Sequence, residues 1–369
     1  MRFILCGGGT AGHVTPAIAI AEIIKNYDKE ADILFIGREN GNENQAIENG
    51  GYKIKKIPVV GLKRKATVSN ISAIYKALKS QHEVSKTIKD FKPDVVIGTG
   101  GYVSWPVIKS AQNKKIPTLI HESNAVAGKV TKLLSKKCDR VLLNFSEASM
   151  GLKRKDNIRI VGNPIRKEFM HIEKKEARKN LGIQNGEILI LSLGGSGGSE
   201  TINNTIIEVM KNLSLRKSNI RHIHSSGYKY YSKIEKEHPE LTRKTGRCII
   251  KGYIDDMATF MSAADIVITR CGAMTLNEVS AIGKCAILIP SPNVADNHQF
   301  HNAKTFSEAG AAILLEENEL TSELLIYKIS ELVKSKKTRQ AMEKKTKTFY
   351  KKEANSDILN EIKSVLHQL

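Results

Sequence analysis

Short apolar runs bounded by glycine or polar residues recur along the chain, separated by longer stretches in which apolar positions return every three or four residues. In the first half Phe3–Cys6, Asp32–Gly37, Ile54–Val60, Asp94–Gly98, Pro117–Asn124 and Asp139–Asn144 read as strands. In the second half the strands are Ile188–Ser192, Arg221–Ser225, Cys248–Gly252, Asp265–Thr269 and Ala286–Pro290. Helical spacing fills the gaps, as in Ile18, Ile20 and Ile23 behind a Pro16 placed in a first turn, in Ser69–Lys89, and from Thr201 onward. Strand and helix in strict alternation predict parallel sheets built from βα units. Asp255 and Asp256 are placed to cap a helix starting at Met257. Ser356 is placed to cap a last helix, whose face of Ile358, Leu359, Ile362, Val365, Leu366 and Leu369 must be buried on one of the domains.

Two glycine turns in the second half organise the candidate chemistry: Leu193-Gly-Gly-Ser-Gly-Gly-Ser199 and Arg270-Cys-Gly-Ala-Met-Thr-Leu-Asn-Glu278. Each follows a strand and opens a helix, so backbone N–H groups and the positive end of the helix dipole are aimed at an anion. Two such turns together suggest a nucleotide diphosphate. Glu278, about one and a half turns into its helix, has the reach to accept hydrogen bonds from both hydroxyls of a ribose. In the first half Gly7, Gly9 and Gly12 satisfy the dinucleotide fingerprint GxGxxG, and Glu39 after the second strand keeps a nicotinamide reading open. His13, Tyr102, Glu122 and Asn124 fall at equivalent strand ends, where an open parallel sheet places its ligand crevice. No Asp-x-Asp stands at a strand end, so the site is read as metal-independent and no cofactor is expected.

Length changes the picture by dividing it. A chain of 369 residues exceeds what one core serves, so two domains are expected, with Val161-Gly-Asn-Pro-Ile-Arg166 as the turn between them. Five scattered cysteines without a CxxC pair argue against disulfides and zinc and fit a reducing cytoplasm. No apolar run approaches the ~20 residues of a membrane span, and the N-terminus enters a strand without an export leader. The net charge of +20 fits a polyanionic partner, an anionic lipid surface or simply a Lys-rich background. Nucleic acid is disfavoured, because the basic run Lys334–Lys352 interleaves only Phe349 and Tyr350. Gly61-Leu-Lys-Arg-Lys65, leading into a helix with Ile71, Ile74, Tyr75 and Leu78 on one side, has the make-up of a membrane-surface patch, though such a stripe more often faces its own sheet.

The order of motifs resembles the MurG family of bacterial N-acetylglucosaminyltransferases. The resemblance rests on Gly8-Gly-Thr-Ala-Gly-His13, Gly100-Gly-Tyr-Val-Ser104, His121-Glu-Ser-Asn124, Gly162-Asn-Pro-Ile-Arg166, Gly194-Gly-Ser196, Tyr253-Ile-Asp-Asp-Met257, the Arg270–Glu278 run and Asp296-Asn-His-Gln-Phe-His-Asn-Ala303. It implies an α/β GT-B fold: two Rossmann-like parallel-sheet domains facing across a cleft, the C-terminal helix returning to the first. Residues 1–162 with about 350–369 would bind the acceptor and face the membrane, and residues 163–349 would bind the nucleotide sugar. The implied reaction moves N-acetylglucosamine, with inversion and without a metal, from UDP-N-acetylglucosamine to lipid I, giving the lipid II of peptidoglycan synthesis. By matching positions, Thr10, Ala11, Gly12, Asn124, Arg166, Ser196, Ile254, Ala273, Met274, Thr275, Leu276, Asn277, Glu278 and Gln299 would hold the donor. Arg166 would sit by the diphosphate or nucleotide, Ile254 would offer backbone to uracil, Glu278 would hold the ribose, and Gln299 would read sugar hydroxyls.

His13, with an ordinary pKa near 6.5, would be the base on the acceptor hydroxyl. Glu122 would be the second candidate, or would orient His13 or bind the acceptor. Gly101, Tyr102 and Ser104 would lie on the acceptor side. With a lipid-anchored acceptor in view, Lys63, Arg64, Lys65, Ile71, Ile74, Leu78 and Trp105 become a docking patch for the anionic cytoplasmic face of the membrane, held peripherally. UDP-N-acetylglucosamine 2-epimerase shares the implied fold and donor but needs neither a lipid acceptor nor the Gly-Gly-Tyr-Val-Ser loop.

Overall fold

Strands without polar alternation have to be covered on both faces, and helices packed on either side of a parallel sheet do this. The computed structural model describes residues 1–9, 11–41, 44–61, 68–170, 172–195, 197–212, 219–243 and 245–366, with backbone alone for residues 11, 68–74 and 77. It divides into two units, Met1–Ile165 with Lys351–Leu369, and Arg166–Tyr350.

The first unit runs β1 (Arg2–Cys6), α1 (Ala11–Tyr27), β2 (Asp32–Arg38), α2 (Asn44–Asn49), β3 (Lys53–Ile57), α3 (Val68–Phe91), β4 (Val95–Gly98), α4 (Ser104–Asn113), β5 (Thr118–Glu122), α5 (Lys129–Leu134), β6 (Arg140–Leu143) and β7 (Ile158–Ile160). The second runs α6 (Lys174–Asn180), β8 (Ile188–Leu193), α7 (Glu200–Lys211), β9 (Ile220–Ser225), α8 (Tyr228–Glu237), β10 (Cys248–Lys251), α9 (Met257–Ala263), β11 (Ile266–Thr269), α10 (Ala273–Ile282), β12 (Cys285–Leu288), α11 (His298–Glu308), β13 (Ala312–Leu314), α12 (Ser322–Lys334) and α13 (Lys336–Lys347). The last helix, α14 (Ala354–Leu366), belongs to the first unit.

Both sheets are parallel throughout, in the orders β3-β2-β1-β4-β5-β6-β7 and β10-β9-β8-β11-β12-β13. Each order reverses at one place, between β1 and β4 in the first sheet and between β8 and β11 in the second. At such a reversal the crossover helices leave to opposite faces, so the carboxyl ends of the two strands stay open to a ligand.

One face of the first sheet is covered by α1 together with α14, whose Ile358, Ile362 and Val365 join Phe3, Leu5, Ile20 and Ile24 in a single core. Glu361 ties the same helix to the sheet by accepting a 2.9 Å bond from Arg140 Nε. α14 begins two residues before the predicted cap, and the Ser356 hydroxyl donates to the Glu353 carbonyl instead. Pro16 likewise lies inside α1 rather than in its first turn, where it removes the bond that the Gly12 carbonyl would otherwise accept. The predicted cap at Asp256 is present, its carboxylate accepting from Thr259 N at 3.1 Å.

The second sheet buries a polar chain that periodicity alone conceals. Ser192 Oγ lies 2.8 Å from both His222 Nε2 and His224 Nδ1, and His224 Nε2 lies 2.9 Å from Asn203 Oδ1. Burial pushes the imidazoles down, His222 to about 3 and His224 to about 4, with the neighbouring His224 lowering His222 further. An unfolded histidine binds its proton below about 6.5, so the unfolded chain gains protons that the folded sheet refuses. The stability held by these groups is therefore complete above pH 6.5 and lost as pH falls toward 4. Between pH 6.5 and 5 each imidazole should cost the fold about 2 kcal/mol. Urea midpoints measured across that range, with NMR titration of the two rings, check this; a flat midpoint together with a ring titrating near 6.5 would contradict it.

Candidate active site

His13 lies in the first turn of α1, and α1 leaves from the carboxyl end of β1, beside the reversal of the first sheet. Its Nδ1 is 3.1 Å from the carbonyl oxygen of Thr99, at the end of the neighbouring strand β4. A carbonyl can only accept, so Nδ1 carries a proton, and the tautomer this contact selects has its lone pair on Nε2. The Thr99 hydroxyl returns a 2.6 Å bond to the His13 carbonyl, closing the link between the two turns.

The ring rests on two glycines that have no room for a side chain. A Cβ on Gly100 would sit 2.9 Å from His13 Nδ1, and one on Gly101 would sit 2.0 Å from the Gly8 oxygen and 3.0 Å from His13 Cδ2. Both residues also have positive φ, 96° and 75°. Ser104, expected on the acceptor side, is fully buried and donates to the Gly100 carbonyl at 2.7 Å, so it holds this turn in place. The Tyr102 ring covers Gly9 and Gly61. It and Trp105 pack half-buried on the first unit's core.

The Glu122 carboxylate is turned toward its own loop. Its Oε1 accepts from Asn124 N and Nδ2 at 3.2 and 3.0 Å, and its Oε2 accepts from Gly128 N and Thr131 Oγ1 at 2.9 and 2.8 Å. The carboxylate thus fastens the loop after β5 and the start of α5, where a helix N-terminus favours negative charge. Both oxygens are thus engaged within this segment, and the group that meets His13 Nδ1 is the Thr99 carbonyl. Asn124, expected at the donor, is turned onto this same carboxylate.

In the second unit the two glycine turns follow β8 and β11, the strands flanking the reversal. Helix α10 starts behind Gly272 with no side-chain cap, whereas α7 is capped by Ser199. Within the run from Ala273 to Glu278 only Thr275 is partly exposed; Met274, Leu276 and Asn277 are buried, and the Leu276 N–H donates to the Gly272 carbonyl at 3.0 Å. Ile254 is buried too.

Arg166 and Glu278, assigned to different parts of the donor, hold each other at 2.8 Å, while Arg166 also pairs with Glu168 at 2.9 Å and lies over the Phe169 ring. Burial pushes the Glu278 carboxyl up, and the Arg166 charge opposes that shift. Gln299 Oε1 accepts from Cys271 N at 3.2 Å and Ser291 N at 2.9 Å, bridging two strand-end loops. Only its Nε2 end is left to meet a sugar.

Thr10 and Ser196 lie outside the described residues, as do Lys63, Arg64 and Lys65; Ala11, Ile71 and Ile74 are described by backbone alone, and Gly12 is exposed at the start of α1. On α3, Tyr75 and Leu78 are exposed at 69% and 56%. Thr99 and Thr131 carry no signal of their own in residue type; for Thr99 the available signal is its place between the strand end and Gly100.

Residues 3–143 match the Glycosyltransferase family 28 N-terminal domain, and residues 189–361 match the family 28 C-terminal domain. An Acetivibrio thermocellus UDP-N-acetylglucosamine--N-acetylmuramyl-(pentapeptide) pyrophosphoryl-undecaprenol N-acetylglucosamine transferase is 41% identical over 368 residues, covering 99% of this chain and 98% of the relative. The chain belongs to the MurG family.

The crystal structure of Acinetobacter baumannii MurG is similar with a TM-score of 0.75 at 25% identity, covering 98% of this chain and 99% of that one. The fold is therefore GT-B: two Rossmann-like parallel-sheet units, with the C-terminal helix on the first. A putative UDP-N-acetylglucosamine 2-epimerase from Listeria monocytogenes, TM-score 0.69 at 15% identity and covering 100% of this chain and 97% of that one, shares the fold alone.

The cradle under His13 is testable. In Gly101→Ala the new methyl must displace the Gly8 carbonyl or the imidazole, so the Nδ1-protonated tautomer should be lost from ¹⁵N NMR spectra, and unfolding should become easier by about 1–3 kcal/mol. A variant that keeps both the tautomer and the stability would show that the glycine is not required.

Proposed function

We propose that this chain transfers N-acetylglucosamine from UDP-N-acetylglucosamine to the muramyl 4-hydroxyl of lipid I, forming lipid II with inversion at the anomeric carbon. The observation that carries this reading is the Thr99 carbonyl on His13 Nδ1. It leaves a basic Nε2 on a partly exposed ring at the carboxyl end of the first sheet. The relatives' names supply the substrates, and the site supplies groups for both halves of the chemistry.

Inversion in one step joins the acceptor oxygen to the anomeric carbon as the bond from that carbon to the diphosphate breaks. His13 Nε2 takes the hydroxyl proton, and UDP departs with the bonding electrons. The charge developing on the diphosphate is met by the uncapped start of α10 and by the glycine turn after β8. Glu278 holds the ribose, with Arg166 fixing the carboxylate.

The test is transfer of radiolabelled sugar to lipid I or a short-chain analogue in the presence of EDTA. Wild type should form the lipid-linked disaccharide, and His13→Ala should lower kcat about 10²–10⁴-fold with donor binding retained. Donor binding without any glycosylated acceptor would turn the reading toward the epimerase reaction, and absence of donor binding would end the nucleotide-sugar reading.

The acceptor's lipid anchor requires the enzyme to work at a membrane. Among the described residues no helix is long and apolar enough to cross one. We place the docking surface at the start of α3, where Tyr75 and Leu78 are exposed among Lys76 and Lys79. Leu78→Glu should reduce activity on vesicle-borne acceptor several-fold and spare a short-chain soluble analogue. Equal loss on both would defeat the docking assignment.

A further inference from the structure

Arg270 follows β11 and lies against the glycine turn of the second unit. A Cβ built on Gly195 would meet its Cγ at 3.7 Å. The side chain is 12% exposed. Its Nη1 donates to the Ile289 and Pro290 carbonyls at 3.3 and 3.1 Å, and its Nη2 donates to Ser199 Oγ at 2.5 Å and pairs with the Glu317 carboxylate. Both terminal nitrogens are thus engaged by protein acceptors. A guanidinium so occupied acts as a support for the turn rather than as a ligand for phosphate.

What it supports is Ser199. That residue closes the glycine turn and caps α7, its hydroxyl accepting from Ile202 N at 3.4 Å. The turn is packed tightly upon it, since a Cβ on Gly194 would lie 2.7 Å from Ser199 N. Through one side chain the turn after β8 is joined to the ends of β11 and β12. A cation this buried requires a counter-charge. Glu317, in the loop after β13, supplies it from a side chain 17% exposed, and Thr201 Oγ1 donates to its Oε1 at 3.3 Å.

We propose that Glu317 is a positioning residue for donor binding: acting through Arg270 and Ser199, it fixes the glycine turn that receives the donor's diphosphate. This rests on the donor reading given above. Without the carboxylate the guanidinium is left with neutral acceptors only, its hold on Ser199 slackens, and the turn must be ordered by the ligand at the moment of binding.

The experiment measures donor KM, acceptor KM and kcat alongside UDP binding by calorimetry, for wild type, Glu317→Ala, Glu317→Gln and Arg270→Ala. In Glu317→Ala the donor KM and the UDP Kd should rise about tenfold, equivalent to ~1.4 kcal/mol, with kcat and acceptor KM within about twofold of wild type. Glu317→Gln keeps an acceptor in place and should recover part of the loss. The double variant of Arg270 and Glu317 should bind UDP no more weakly than Arg270→Ala alone, because the two act as a unit. Unchanged donor KM in a folded Glu317→Ala, or equal losses in kcat and acceptor KM, overturns the proposal. If Glu317→Ala does not fold, Glu317→Gln decides by the same criterion. Wild type that fails to bind UDP overturns the donor reading and this inference with it; equal UDP binding by wild type and variant overturns only the role of Glu317.

Discussion

A parallel sheet whose strand order reverses leaves one pair of neighbouring strands whose crossover helices depart to opposite faces. That constraint governs where chemistry can occur in this chain. It sets the turn after β1 beside the turn after β4, and the turn after β8 beside the turn after β11. His13 comes from one member of the first pair and its cradle of Thr99, Gly100 and Gly101 from the other. The glycine turn closed by Ser199 and the start of α10 form the second pair. Residues about ninety positions apart in the sequence are adjacent because β1 and β4 pair in register, Cys6 opposite Gly98.

Backbone economy at these turns is a second theme. The His13 ring can be held by a carbonyl only if the backbone bearing that carbonyl comes close, and a Cβ at Gly100 or Gly101 would block the approach. The same logic places glycine at Gly194, packed against Ser199 N. Three buried charges are met within the fold: Arg166 pairs with Glu278, Arg270 pairs with Glu317, and Glu122 accepts from four donors on the loop after β5 and on α5. The excess of 58 basic over 38 acidic residues lies mostly elsewhere, as on α13, where the lysines are largely exposed.

Glu122 shows how far residue type carries an argument. A carboxylate at a strand end is equally suited to abstract a proton or to pin a loop, and the sequence presents both options alike. Gly128 N and Thr131 Oγ1 are the partners the fold brings to it, and neither stands out in the sequence as one. Gln299 is a similar case, its carbonyl end drawn into bridging Cys271 and Ser291. The histidines of β9 were legible only as members of an apolar strand; their exchange with Ser192 depends on the register of β8 against β9.

The sequence by itself determined the elements: apolar runs too continuous for a solvated sheet, glycine turns at their ends, helical spacing between them, and a cap at Asp256. These follow from local sterics and periodicity, which act over a few residues. Tertiary structure alone decided which nitrogen of His13 is free, which unit the α14 face covers, and whether Glu122 or Thr99 stands behind the imidazole. Each of those outcomes depends on a hydrogen bond or a packed face supplied by a distant part of the chain, and neither the direction of a lone pair nor the identity of a facing surface is encoded in local pattern.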